Sequence, residues 1–379
     1  MTYLVKNYNK EILKSLARQY PEKWEQVKSS KKGKWLTGES FPSYNQLVKI
    51  AKVFNIPFGY LFLDSLPERV VDIPYFRTGS REKEKIIDEN LKEFILQVKR
   101  RQEWIKEILL EWEYEPLPFA GKYSSTSDVN TVVAALRETL KLKDNWAKEV
   151  PRWNDALRFL IERVEEAGIF VIVSGVVGND TRRKISLDVC RGFVLFDPIA
   201  PFVYLNSNDF ISAKIFTLIH ELVHILIGQS ASFDLRELQS ADDEVERFCD
   251  KCAAEFLVPA TLLQQEKVFD FEYLAQKYKV SQIVIARRLL DIGKITKNEY
   301  LNFYHQYKKY EHKTDHPSGG DFYITAEYRY SKKFLRLIYL AWKENKVLYR
   351  DLCRLLSLSA STLDTLFNRL FEGFSYEQA

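Results

Sequence analysis

Apolar residues recur at three- and four-residue spacing along most of this chain, and only a central stretch changes to short unbroken apolar runs. The first pattern predicts amphipathic helices over 9–18, 21–27 and 43–54, then a long one over 82–112 and two more over 129–142 and 154–167. The second predicts buried strands over 169–173, 192–196 and 201–206, with the turn Asp197-Pro198 between the last two. Helical spacing then returns over 216–228, 243–259, 271–278, 281–290, 297–307, 334–342 and 348–370. The expected class is α+β and mostly helical, with one small sheet. Breaks at 66–78, at Pro116-Leu117-Pro118 and at 313–320 suggest four parts: 1–78, a helical spacer over 79–120, a core over 121–315 and a helical tail over 321–379.

Composition narrows the function classes. At 46% hydrophobic residues the chain has ample material for packed cores, which excludes wholesale disorder. No apolar run is long enough to span a bilayer, and the N-terminus lacks the apolar segment of a signal peptide, so no membrane partner and a cytoplasmic location are expected. Four cysteines are too few for a disulfide scaffold, and Cys249-x-x-Cys252 reads as core packing within a helix. The net charge of +4 is uneven: residues 1–60 carry eleven Lys/Arg against four Asp/Glu. That basic segment points to nucleic acid or an acidic partner, with Lys28, Lys31, Lys32 and Lys34 suited to phosphate contact rather than base reading.

The chemistry concentrates in the helix over 216–228, which carries His220-Glu221-Leu222-Val223-His224. Histidines four apart project from one helical face, and two imidazoles at that spacing can grip one zinc ion. Glu221 is the candidate base for a water acidified by the metal. The next helix offers the third ligand, with Glu246 favoured over Glu255. Asp250 lies one turn beyond Glu246 and is placed to accept a hydrogen bond from the second nitrogen of a ligating histidine. The expected cofactor is one Zn2+. The last strand runs into this helix, and an edge strand beside the helix can bind an extended peptide through backbone pairing.

Two resemblances add to this reading. Residues 35–63 resemble the helix-turn-helix module of the XRE repressor family, which implies DNA contact through residues 1–66. Arg191-Gly192-Phe193, Asn206-Ser207-Asn208-Asp209, the histidine helix and Ala253-Ala254-Glu255-Phe256-Leu257-Val258-Pro259 resemble the ImmA/IrrE family of metallo-endopeptidases. That resemblance implies a gluzincin-like domain in which His220, His224 and Glu246 hold zinc, Glu221 is the general base, and the substrate is a DNA-binding repressor. Gly319-Gly320-Asp321-Phe322-Tyr323 looks like a motif that recurs in the same family; Tyr323 is then a candidate donor to the developing oxyanion, against the plainer reading of a core tyrosine. A second functional reading is a DNA-binding regulator or toxin–antitoxin component whose zinc site is structural or sensory.

Overall fold

The computed structural model describes residues 4–54, 56, 58–65, 76–77, 89–228, 244–310 and 321–371. The chain divides into two compact units, Met1–Val71 and Asp72–Ala379.

The smaller unit is helical: α1 (Lys10–Gln19), α2 (Pro21–Glu25), α3 (Lys32–Thr37) and α4 (Tyr44–Phe54), followed by a 3-10 turn over Phe58–Phe62. Local chemistry sets the helix starts. Asn9 accepts from the Glu11 amide at 2.9 Å, and its own side chain holds the Leu63 carbonyl at 2.7 Å. Ser43 and Gln46 cap each other reciprocally, Ser43 N–H to Gln46 Oε1 at 2.8 Å and Gln46 N–H to Ser43 Oγ at 3.3 Å, before α4 begins. Leu13, Trp35, Leu47, Ile50 and Leu61 fill the interior. Lys28, Lys31 and Lys34 are exposed. Lys32 differs, because its ammonium bonds the Glu25 carboxylate at 2.8 Å and the Trp24 carbonyl at 3.3 Å.

The larger unit is built on a four-stranded sheet in the order β1-β5-β6-β2. Its strands are β1 (Phe76–Arg77), β2 (Phe170–Ser174), β5 (Gly192–Leu195) and β6 (Phe202–Asn206); β3 (Val176–Val177) and β4 (Asp180–Lys184) make a separate hairpin. β2 and β6 run parallel, while β6–β5 and β5–β1 are antiparallel. β5 and β6 are buried along their whole length, which explains why they read as unbroken apolar runs.

Alternate residues serve the two faces. Val171, Val194, Val203 and Leu205 join the main core with α6 (Val129–Leu140), α7 (Trp153–Glu166), α8 (Ile211–Ile227) and α9 (Glu244–Leu257). Phe193 and Tyr204 face the other way and stack against Phe94 of α5 (Glu89–Glu111). α5 is also tied to the sheet by Gln102, whose amide donates to the carbonyls of Leu195 and Ala200, both at 2.8 Å. α5, which lies in the segment read as a spacer, thus packs on the sheet face that carries Phe193 and Tyr204.

The remaining helices are α10 (Ala260–Gln264), α11 (Phe271–Tyr278), α12 (Gln282–Asp291), α13 (Lys297–Tyr310), α14 (Phe322–Tyr330), α15 (Lys332–Lys343), α16 (Tyr349–Leu356) and α17 (Ala360–Phe371). The tail helices belong to the larger unit and contact its sheet and α5. Phe334 stacks edge-on against Phe170 and Phe202, Tyr330 donates to the Leu356 carbonyl at 2.8 Å, and Arg101 of α5 donates to the Leu355 carbonyl at 3.2 Å. Among the described residues, no helix is long and apolar enough to cross a membrane.

Candidate metal centre

α8 is apolar almost all round, and every residue from Ile215 to Ile227 is buried. A helix of that kind belongs in a core, and here it packs against β5, β6, α7 and α9. Its C-terminal carbonyls are taken up by an incoming loop, with Gly121 N–H to Ile225 O at 2.9 Å and Tyr123 N–H to Leu226 O at 3.0 Å. Gly228 ends the helix in the left-handed region, at φ 67°, where a Cβ would stand 2.6 Å from the Gly121 Cα. Only glycine fits both demands.

Two imidazoles and a carboxylate converge beside this helix. His220 Nε2 and His224 Nε2 are 3.2 Å apart. Glu246 of α9 reaches both, with Oε2 at 3.2 Å from His220 Nε2 and Oε1 at 2.9 Å from His224 Nε2. Two zinc–nitrogen bonds of about 2.05 Å at a tetrahedral angle would separate the nitrogens by roughly 3.3 Å, so the spacing fits one ion. All three residues are buried, and their ligand atoms lie within 4.8 Å of one another.

Asp250 accepts from His220 Nδ1 at 3.0 Å. Glu246 and Asp250 are four apart on α9 and share a face, so one helix supplies both the carboxylate at Nε2 and the one at Nδ1. The Nδ1 contact turns the Nε2 lone pair of a neutral His220 toward the cluster.

The electrostatics follow from burial against pairing. Burial pushes His220 down, but the carboxylates of Asp250 and Glu246 outweigh it and lift the imidazole to about 10. Burial lowers His224, and Glu246 offsets only part of that. Burial alone would raise Glu246, yet its bonds to the two imidazoles hold it down at about 2. A carboxylate that stays ionised in a dry core is a ready cation ligand.

Glu255 is committed elsewhere. Its Oε2 pairs with Arg288, and its Oε1 accepts the Ala260 N–H at 3.1 Å. Tyr323 stands at the start of α14, with the Arg369 guanidinium 4.3 Å over its ring and Phe322 beside it. Cys249 and Cys252 lie in the core, and burial pushes both thiols up, Cys252 to about 12. His305 is exposed, while His312 and His316 fall outside the described residues.

Glu221, 1% exposed, faces β5. A Cβ on Gly192 would sit 3.6 Å from Glu221 Oε1, 2.3 Å from Thr217 Cγ2 and 2.9 Å from the Tyr204 carbonyl. The strand can therefore approach the helix this closely only as glycine. A polar set fixes that approach. Asn206, fully buried, donates to the carbonyls of Ile185 at 3.0 Å and Cys190 at 2.9 Å. Arg191 pairs with both oxygens of the buried Asp209, at 2.9 and 3.0 Å, and Asp209 Oδ1 also accepts the Phe210 N–H at the entrance to α8. In the sequence these residues stand out only as parts of the short stretches Arg191-Gly192-Phe193 and Asn206-Ser207-Asn208-Asp209. A buried Asp and Asn directly before an apolar helix are the local sign of that role.

Residues 164–290 match a metallopeptidase family, that of the IrrE N-terminal-like domain. The matched stretch runs from the last turn of α7 through α12, and so holds the sheet strands β2, β5 and β6, the histidine helix and Glu246. No curated protein matches the chain. The family match supports a metallopeptidase-like function, and the three-residue cluster can hold a metal ion.

Proposed function

We propose that the chain is a zinc-dependent endopeptidase acting on an extended segment of a protein. The observation that carries this reading is the meeting of His220 Nε2, His224 Nε2 and the Glu246 carboxylate next to Glu221. Among the described residues the cluster offers three ligand atoms, the number with which a catalytic zinc site keeps a coordination position open. That favours hydrolysis over a closed structural or sensory site.

His220, His224 and Glu246 would hold the ion. When bound, zinc supplies Lewis acidity that polarises a scissile carbonyl and brings the pKa of water toward neutrality. Glu221 takes the proton from the attacking water and passes it to the leaving amine. Asp250 keeps His220 oriented, and Glu246 keeps a negative charge in the core that offsets the cation's. The walls of α8, β5 and α9 exclude bulk water, which strengthens each of these interactions.

A DNA-binding repressor is the substrate we favour, from the resemblance of the histidine helix and its flanks to ImmA/IrrE peptidases. The smaller unit, with Lys28, Lys31 and Lys34 exposed, would contact nucleic-acid phosphate. The test is cleavage of a repressor encoded beside this gene by the zinc-loaded chain and by Glu221→Gln. Cleavage by the parent alone, slowed at least 100-fold in the variant at equal zinc content, is expected. Equal cleavage by both would remove Glu221 as the base, and DNA binding with no cleavage by either would replace this reading with the regulator.

A further inference from the structure

We propose that the chain occupies its own substrate edge: Phe76–Arg77 pairs with β5 where the backbone of an extended substrate would lie. The inference rests on the peptidase reading and names how that site is restrained.

Sheet order places β1 outermost, directly beside β5. The register sets Arg77 opposite Gly192 and Phe76 opposite Phe193. On the inner side, Asn206 N–H donates to Arg191 O at 2.9 Å. Bonded and non-bonded pairs alternate in an antiparallel ladder. Gly192, opposite Leu205, is therefore a non-bonded position toward β6 and turns its N–H and C=O outward. Arg77 stands on that outer side.

Gly192 is also the residue that touches the chemistry. A Cβ added there would meet Thr217 Cγ2 at 2.3 Å and stand 3.6 Å from an oxygen of Glu221, the proposed base. A peptide whose scissile bond is to reach Glu221 has to pass along β5 at Gly192, pairing with the same N–H and C=O. Substrate and connector thus compete for one pair of backbone groups. The pairing spans two residues, so it offers few backbone hydrogen bonds, each of modest net strength. It is a latch that a longer pairing segment can displace, rather than a permanent block.

The test uses the full chain in a Glu221→Gln background, where binding is read without turnover. The probe is fluorescein-labelled β-casein, an unfolded protein, followed by anisotropy. Arg77→Pro removes the N–H that faces Gly192, whereas Arg77→Ala keeps it. The expected result is casein binding about tenfold tighter for Arg77→Pro, as the competent fraction rises, with Arg77→Ala unchanged. Amide exchange over 190–196 should rise in the proline variant alone, while exchange over 202–206 stays level and reports an intact sheet. If the proline variant disturbs the sheet, a synthetic peptide of residues 72–82 decides instead: it should compete with casein on the parent chain. Equal casein affinity in Pro and parent chains, no casein binding by either, an equal effect of Ala and Pro, unchanged exchange over 190–196, or failure of the peptide to compete would each overturn the proposal. Failure of the peptidase reading shows separately, as zinc-loaded parent chain that binds casein with this pattern and never hydrolyses it.

Discussion

Two buried glutamates in the larger unit meet opposite fates. Glu246, on α9, is held down at about 2, whereas Glu165, on α7, is lifted to about 7. Burial raises both. The difference lies in what faces them: Glu246 meets two imidazoles, whereas Glu165 meets the Ser331 hydroxyl, the Lys333 backbone N–H at 3.2 Å and a Lys333 ammonium that acts only through space. Neutral donors soften the cost of burying a charge, whereas two imidazole donors, one of them lifted toward its cationic form, reverse it. The first arrangement anchors the start of α15 to α7; the second leaves a charge ready for a metal.

The comparison breaks most severely at Glu246. Glu246→Gln removes the charge and a ligand while keeping the shape, and should weaken zinc affinity by more than the 10- to 100-fold typical of outer partners, measured by competition with a chromophoric chelator. Hydrolysis should fall with it. A variant that binds zinc like the parent would remove Glu246 from the ligand set.

Glu165 should respond in the opposite sense. Its folded pKa lies above the unfolded value of 4.5, so the folded state holds the proton more tightly. The stability it contributes is present below about pH 4.5 and is lost as pH rises through about 7. Glu165→Gln, which cannot ionise, should gain about 2–3 kcal/mol on the parent between pH 5 and pH 8 in denaturant unfolding of the full chain. A gap that stays constant over that range would show that Glu165 titrates normally.

Asp250 gives the smallest effect. Asp250→Asn keeps an acceptor for His220 Nδ1 but removes its charge, and a 10- to 100-fold loss of zinc affinity is expected. An unchanged affinity would leave Glu246 as the sole carboxylate that matters.

These contrasts also explain what could be read before the structure. The histidine helix was legible because its spacing and its chemistry share one short window, and Glu246 with Asp250 because they repeat one turn apart. Helix boundaries such as Phe271–Tyr278 follow from local patterning. Glu165 was not legible: its partner Ser331 lies 166 residues away, and nothing in the local pattern around 165 marks it as anything but a solvent-facing residue on an amphipathic helix. The β1–β5 pairing was hidden for the same reason, since two residues of a connector show no strand period. The contacts of α5 and α15 with the sheet are long-range, through Gln102 to Leu195 and Ala200 and through Phe334 to Phe170 and Phe202, and short-range periodicity does not encode them.

The central claim is that α8 and α9 together build one open metal centre. Zinc K-edge absorption spectroscopy on the zinc-loaded full chain tests it most directly. Two imidazole nitrogens with oxygen neighbours at about 2.0–2.2 Å and no sulfur, with one oxygen contribution altered in Glu246→Gln, is the predicted result. Sulfur at about 2.3 Å would move the site to Cys249 and Cys252 and contradict the account.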